Sequence, residues 1–157
     1  MIHNNKEEAE LFIRRLADTY NYTLENYKKK SITLKEEVAL VTSYIEMMRA
    51  RFGENVALHN NIPVEFLNRS ILPLSLQTLI ENALKHNVIN GDHQLTITLE
   101  ANEDIVRVQN NKTISPSSVI SNNIGLANLL KRYRLWDNQK VSIYNHEHSF
   151  AVTIPIS

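Results

Sequence analysis

The sequence predicts an α+β fold, a two-layer sandwich with helices segregated to one side of paired strands. Three observations carry this. Residues 71–87 repeat their apolar side chains at helical spacing, about 100° per residue. Residues 95–100 alternate apolar and polar side chains and are followed, after a short turn, by a second strand-like run at 105–109. A further pair of strand-like runs, 141–145 and 150–156, closes the chain after another helical stretch. With 157 residues, 43% of them hydrophobic, and only 3 Gly and 4 Pro, the chain has the composition of one globular domain, alone or with a helical appendage.

Composition excludes several function classes. Seventeen Lys and Arg balance 17 Asp and Glu, so charge gives no warrant for a direct nucleic-acid or anionic-membrane partner. Cysteine is absent, which removes disulfides, thiolate catalysis and thiolate metal sites, and fits a reducing compartment. No apolar run approaches the roughly 20 residues of a membrane span, and the polar first residues do not form a signal peptide.

Taken in order, Asn5-x-x-Glu8 has the form of a capping box, with a long helix following to about Lys29. Its apolar positions Ala9, Ile13, Leu16, Tyr20, Leu24 and Tyr27 alternate threes and fours, as a bundle or coiled-coil seam does. Such a helix packs either on its own domain or on a second copy of the chain. Lys28–Lys30 near its end suits the helix dipole. Thr33-Leu-Lys-Glu36 is a second capping box, opening a helix to about Arg51 that Gly53 stops. Its apolar side holds Val38, Leu40, Val41, Tyr44, Ile45, Met47 and Met48. Residues 56–60 read as a short strand, 60–63 as a turn and 64–69 as an irregular connection.

In the helix of 71–87, Pro73 is expected in the first turn, where its missing N–H costs nothing. Leu76, Leu79, Ile80, Ala83 and Leu84 form its apolar stripe. Residues 88–94 form a loop. The strand 105–109 turns Val106 and Val108 inward, and a polar loop follows over 110–123, where Ser115-Pro116 is placed to open one helical turn. Residues 124–135 form a helix with Leu126, Leu129, Leu130 and Tyr133 as its stripe, and the last two strands flank the turn 146–149.

The chemistry concentrates at Asn82, Lys85 and His86, at i, i+3 and i+4, which makes them neighbours on one helix face. Pattern alone also fits a core-packing helix with a solvated back. As a site, the amide oxygen of Asn82 suits Mg²⁺, a hard cation, and Lys85 supplies charge to phosphate. Gly125 lets backbone approach a phosphate at a helix start, and Asn110 is able to hydrogen-bond an adenine amino group. No P-loop, GxGxxG motif or nucleophile elbow is present. His146 and His148 lack third and fourth ligands nearby and read as solvated turn residues, as Arg49 and Arg51 read as surface groups.

As an ordered set these residues resemble a known family. Glu81-Asn82-Ala83-Leu84-Lys85-His86, preceded by Pro73 and Leu76-Gln77, resembles the asparagine box of LytS-type sensor histidine kinases. Leu34-Lys-Glu-Glu37, Tyr44-Ile45-Glu46 and Arg51-Phe52 match the segment before that box. Ile124-Gly125-Leu126-Ala127-Asn128 with Lys131-Arg132-Tyr133 matches the second glycine box, and 150–155 the closing strand. The resemblance implies a Bergerat-type (GHKL) ATP-binding fold, a two-layer α/β sandwich with a mixed sheet and helices on one face, preceded by a long N-terminal helix.

By position, the resemblance makes Asn82 the Mg²⁺ residue. Lys85 becomes a phosphate contact, and His86, Gly125 and Leu126 nucleotide-lining positions. Asn110 takes the adenine-binding place, and Glu81 becomes a catalytic proton acceptor or Mg-water holder. It divides the chain into 1–31, the second helix of a dimerisation and phosphotransfer hairpin, and 32–157, the catalytic ATP-binding domain. It implies ATP and Mg²⁺ as cofactors, a homodimer through the N-terminal helix, and a response regulator, often one with a LytTR DNA-binding domain. The parent would be a bacterial inner-membrane sensor with this region soluble in the cytoplasm. The family's phosphoacceptor motif, a His followed by Phe-Leu-Phe-Asn, is absent, so the chain reads as a fragment beginning just after that helix. Asn110-Asn111-Lys112 stands where Asp-x-Gly is usual, and Asn123 where Gly begins the second box. Those departures keep open an alternative, a non-catalytic dimeric signalling module that retained the fold and lost nucleotide binding.

Overall fold

The structure, a computed structural model, describes residues 2–27, 29–116, 124–137 and 140–157. Helix α1 (Ile2–Tyr27) starts three residues before the first capping box, so Asn5 is helical and is not its N-cap, a position that needs non-helical backbone. Leu11, Ile13 and Leu16 on α1 are exposed, Phe12 is half-buried, and the side chains of Tyr20, Leu24 and Tyr27 lie outside the described residues, as does Lys28. α1 packs on helix α2 (Leu34–Phe52) of the same chain.

The second capping box forms as its sequence dictates. Thr33 Oγ1 accepts from the Glu36 N–H at 3.2 Å, and Glu36 Oε2 accepts from the Thr33 N–H at 2.8 Å. Two further orphan N–H groups of α2, on Leu34 and Lys35, donate to the carbonyls of Arg69 and Leu67. That tie pins the segment 64–69 read from sequence as irregular, and the two residues after it enter a two-stranded sheet: β1 (Ile32–Thr33) pairs antiparallel with β3 (Ser70–Ile71). Strands of two residues carry no periodicity to detect. At its other end α2 stops at Gly53, whose φ of 61° a side chain would resist.

The main sheet is mixed, in the order β2-β4-β5-β7-β6, built from β2 (Val56–Asn60), β4 (Leu95–Ala101), β5 (Ile105–Asn111), β6 (Ser142–Asn145) and β7 (Ser149–Pro155). Only β2 with β4 is parallel. Period-2 alternation sends Leu95, Ile97, Leu99, Val106, Val108, Val152 and Ile154 to one face, where they are buried against α2, α3 (Ser75–Lys85) and α4 (Ile124–Asp137). The opposite face carries Thr96, Thr98, Arg107 and Gln109, none of them fully buried. One polar face and one helix-covered face give the two-layer arrangement the sequence predicts.

α3 does not begin at Pro73. Leu74, its N-cap, has φ 66°, a left-handed conformation unusual for a non-glycine residue, so the helix starts only at Ser75 and no side chain of its own caps it. The cap comes from α2. Glu37, with no exposed surface, accepts from the Leu74 N–H through Oε1 (2.6 Å) and from the Leu76 N–H through Oε2 (3.0 Å). From the other side, the buried Tyr133 hydroxyl of α4 accepts from the Leu72 N–H (3.3 Å) and shares a hydrogen bond with Ser75 Oγ (2.8 Å). Arg132 Nη2 donates to the Pro73 carbonyl (2.7 Å). Three helices thus meet at one turn.

Burial pushes the Glu37 carboxyl up to about 7 from 4.5, against the pull of the backbone donors and of Arg132. The folded chain therefore binds a proton in this window that the unfolded chain releases. Stability from this residue is full below pH 4.5 and declines as pH rises through about 7, by roughly 3 kcal/mol in all. Denaturant unfolding at pH 5 and pH 7.5 checks this: Glu37→Gln is expected to flatten the decline seen in the wild type.

Candidate functional site

The C-terminal half of α3 turns two side chains away from the core. Asn82 and His86, four residues apart and so on one helix face, are both half-buried. Strand β5 supplies the facing wall by simple alternation. Val106 and Val108 enter the core, and the next residue of that face, Asn110, is 5% exposed, with Lys112 two places further on. In register, Asn110 lies opposite Phe150 of β7, which lies opposite Asn145 of β6, so one row crosses three strands. These residues and Leu126 of α4 line a cavity of about 430 Å³, within the range of small-molecule sites.

One wall is held by Asn87, just past α3 and buried. Its Nδ2 donates to the Ala83 carbonyl (2.8 Å), while its Oδ1 accepts from the Thr113 N–H (2.9 Å). Thr113 Oγ1 returns a bond to the Val88 carbonyl (2.7 Å), and the Val88 N–H reaches the Ile114 carbonyl (2.9 Å). The chain leaving β5 is thereby fastened to the end of α3, with Thr113, Ser115 and Pro116 along the cavity. Over 112–116 it is not helical, and the turn that Ser115-Pro116 is placed to open falls on 117–123, outside the described residues.

The structure brings together four of the residues singled out from sequence: Asn82, His86, Asn110 and Leu126. Three others do not line the cavity. Lys85 is exposed. Glu81 is exposed and accepts from Gln77 Nε2 on its own helix (2.9 Å). Gly125 sits beside Thr78, where an added Cβ would stand 3.4 Å from Thr78 Cγ2, an ordinary contact, so packing does not require glycine there. Burial, with Lys85 beside it, holds the His86 imidazole below its usual value, so at neutral pH it is an uncharged donor and acceptor.

Sequence reasoning missed Asn87, Lys112, Thr113, Asn145 and Phe150 as cavity residues. Only the strand register could have found Asn145 and Phe150, by placing them beside Asn110. His146 and His148 are exposed in their turn, and no group of three or more metal-ligating side chains occurs among the described residues.

Residues 1–56 match the histidine kinase family model. The sensor histidine kinase/phosphatase LytS of Staphylococcus aureus is 28% identical over 90 residues, which is 57% of this chain and 15% of that protein. Over those residues the chain is similar to LytS-type sensor histidine kinases. It spans only about 15% of the length of that curated LytS relative. The catalytic domain of histidine kinase ThkA superposes with a TM-score of 0.57 at 21% identity, covering 80% of this chain and 95% of that one. ThkA solved in complex with the response regulator TrrA gives 0.52 at 20% identity, covering 91% and 48%. The fold is therefore that of histidine kinase catalytic domains, and the cavity lies between α3 and the paired strands.

Asn87 is the cavity residue on which wall geometry most depends. Asn87→Ala strips a carbonyl and a buried N–H of their partner, and is expected to cost about 1–3 kcal/mol in denaturant unfolding, with faster amide exchange at Thr113.

Proposed function

We propose that this chain is the catalytic ATP-binding part of a LytS-type sensor histidine kinase. The observation that carries the reading is the convergence of Asn82 and His86 from α3 with Asn110 from β5 on one open cavity of about 430 Å³. In the whole protein the reaction would be transfer of the ATP γ-phosphoryl group to a histidine outside this chain, and then to a response regulator. Catalysis of that kind rests on positioning and charge neutralisation.

The donor set fits Mg·ATP. Asn82 offers one amide oxygen to a hard cation whose other ligands are phosphate and water, and no carboxylate among the described residues lines the cavity. Bound Mg²⁺ supplies charge neutralisation on the phosphates. His86 lies one turn beyond Asn82 along the same wall, and Leu126 gives an apolar patch for the ring. In this reading Lys85 and Gly125, which do not line the cavity, would contact the phosphate chain from outside it. Glu81, whose Oε1 accepts from Gln77, has its second carboxylate oxygen for the role of proton acceptor in this reading.

In this reading residues 1–31 form the second helix of a dimerisation and phosphotransfer hairpin, and 32–157 the ATP-binding domain. The exposed Leu11, Ile13 and Leu16 of α1 support a homodimer through that helix. The ThkA complex with TrrA supports a response regulator as partner, here of the LytTR type. The parent would be a bacterial inner-membrane sensor with this region in the cytoplasm; no described helix of this chain is long and apolar enough to cross a membrane. One observation favours a second reading, a signalling module without nucleotide: Asn110 and Lys112 occupy positions where Asp and Gly are the family pattern.

Calorimetric titration with ADP in magnesium tests the assignment. Asn82→Ala is expected to weaken binding at least tenfold in Mg²⁺ and to leave binding in EDTA unchanged. Equal affinities in Mg²⁺ would remove the metal role from Asn82. No binding to the wild type at millimolar nucleotide, with no rise in melting temperature, would favour the module without nucleotide.

A further inference from the structure

At one end of the cavity, the sheet presents an unusual pair. Asn110 and Lys112 lie two apart on the same face of the chain at the end of β5, and both line the cavity. Their hydrogen-bonding capacities differ. One of the two Asn110 Nδ2 protons is committed to the Asn111 carbonyl at 2.8 Å, which sets the amide's orientation, and Oδ1 is its acceptor. Lys112 carries three N–H donors and no acceptor. Its Nζ donates to Asn145 Oδ1 on β6, which stands in the same lining, so the ammonium is tethered beside the row formed by Asn110, Phe150 and Asn145. The backbone fixes the stem of this side chain: the Lys112 N–H donates to the His148 carbonyl at 2.9 Å.

Base edges discriminate against such a pair in a known way. An amide oxygen takes an exocyclic amino group, whereas a lysine ammonium takes the adjacent O6 and N7 acceptors of a 6-oxopurine. A wall with a carboxylate offers acceptors only and rejects the carbonyl edge. Among the described residues no lining side chain is a carboxylate, and Lys112 alone brings a fixed positive charge to the lining.

We propose that Lys112 is a base-selecting residue, and that with Asn110 it makes this cavity accept 6-oxopurine as well as 6-aminopurine nucleotides. The proposal rests on the nucleotide reading of the cavity. On binding a 6-oxopurine, the Lys112 ammonium exchanges Asn145 Oδ1 for the base carbonyl. On binding a 6-aminopurine, it stays with Asn145, and Asn110 Oδ1 takes the amino group. Asn145 thus serves as a parking acceptor for the cation in one of the two complexes.

Competition against a fluorescent ADP analogue tests this, using ADP and GDP on the whole chain with Mg²⁺. The wild type is expected to bind the two within about tenfold of each other. Lys112→Ala should weaken GDP at least tenfold while changing ADP by less than threefold. Asn110→Asp should move selectivity toward ADP. Wild-type preference for ADP above a hundredfold would overturn the proposal, as would an equal loss of both ligands in Lys112→Ala, which marks a phosphate contact or a strut. Lys112→Met, which keeps the stem and drops the charge, must repeat the alanine result; retention of GDP binding there would also overturn it. Failure of the wild type to bind either nucleotide would remove both this proposal and the nucleotide reading, whereas binding of ADP alone removes only this one.

Discussion

The turn before α3 is the constraint on which the remaining architecture depends. It asks for a left-handed leucine and leaves the first amides of an eleven-residue helix without a local cap. Neither is tolerable in isolation. Positive φ costs a non-glycine residue of order 1 kcal/mol, and uncapped amides buried from water cost more. A carboxylate from α2 and a phenol and guanidinium from α4 resolve both at once, through Glu37, Tyr133 and Arg132. The resulting knot orients α3 by its beginning, so that its far end, with Asn82 and His86, is presented to the sheet at a set angle.

The cavity follows from that orientation and from strand parity. β5 runs out of core before it runs out of length, and its inward face passes from Val106 and Val108 to Asn110 and Lys112 without a change of register. A helix anchored at one end and a strand that turns polar at its tip leave a wedge between them. Asn87 closes one side of the wedge by tying the two chain segments together. Nothing in this arrangement requires strained geometry at the wall itself; the strain sits more than two helical turns away, at Leu74.

Much of this was legible in the sequence, for identifiable reasons. Helix α2 announced itself by the Thr33 and Glu36 spacing, and β4 by an alternation that admits one pairing face. The start of α3 was misread because proline statistics favour the first turn, while the residue that decides the matter, Leu74, shows no local sign of adopting left-handed backbone. Glu37 carries no local mark of burial in the sequence; its partner Leu74 lies 37 residues away in the chain. The same holds for the cavity. Residues on one helix face, Asn82 and His86, could be grouped from spacing, but Asn145 and Phe150 join Asn110 only through antiparallel register across three strands. Capping at Asn5 failed because α1 continues through that position.

The single parallel pairing, of β2 with β4, bears on how the molecule comes together in time. The β4–β5 hairpin closes over a short turn, and β6 with β7 closes over another, so both ribbons have low loop-closure entropy and can form early. β2 joins only after the whole crossover that contains α3 has been folded back over the sheet. Contacts so distant along the chain are slow to form. The pairing of β5 with β7 is as distant along the chain, so the wedge between α3 and β5 waits on more than one long-range closure, and a ligand of this cavity has no foothold on a half-made chain.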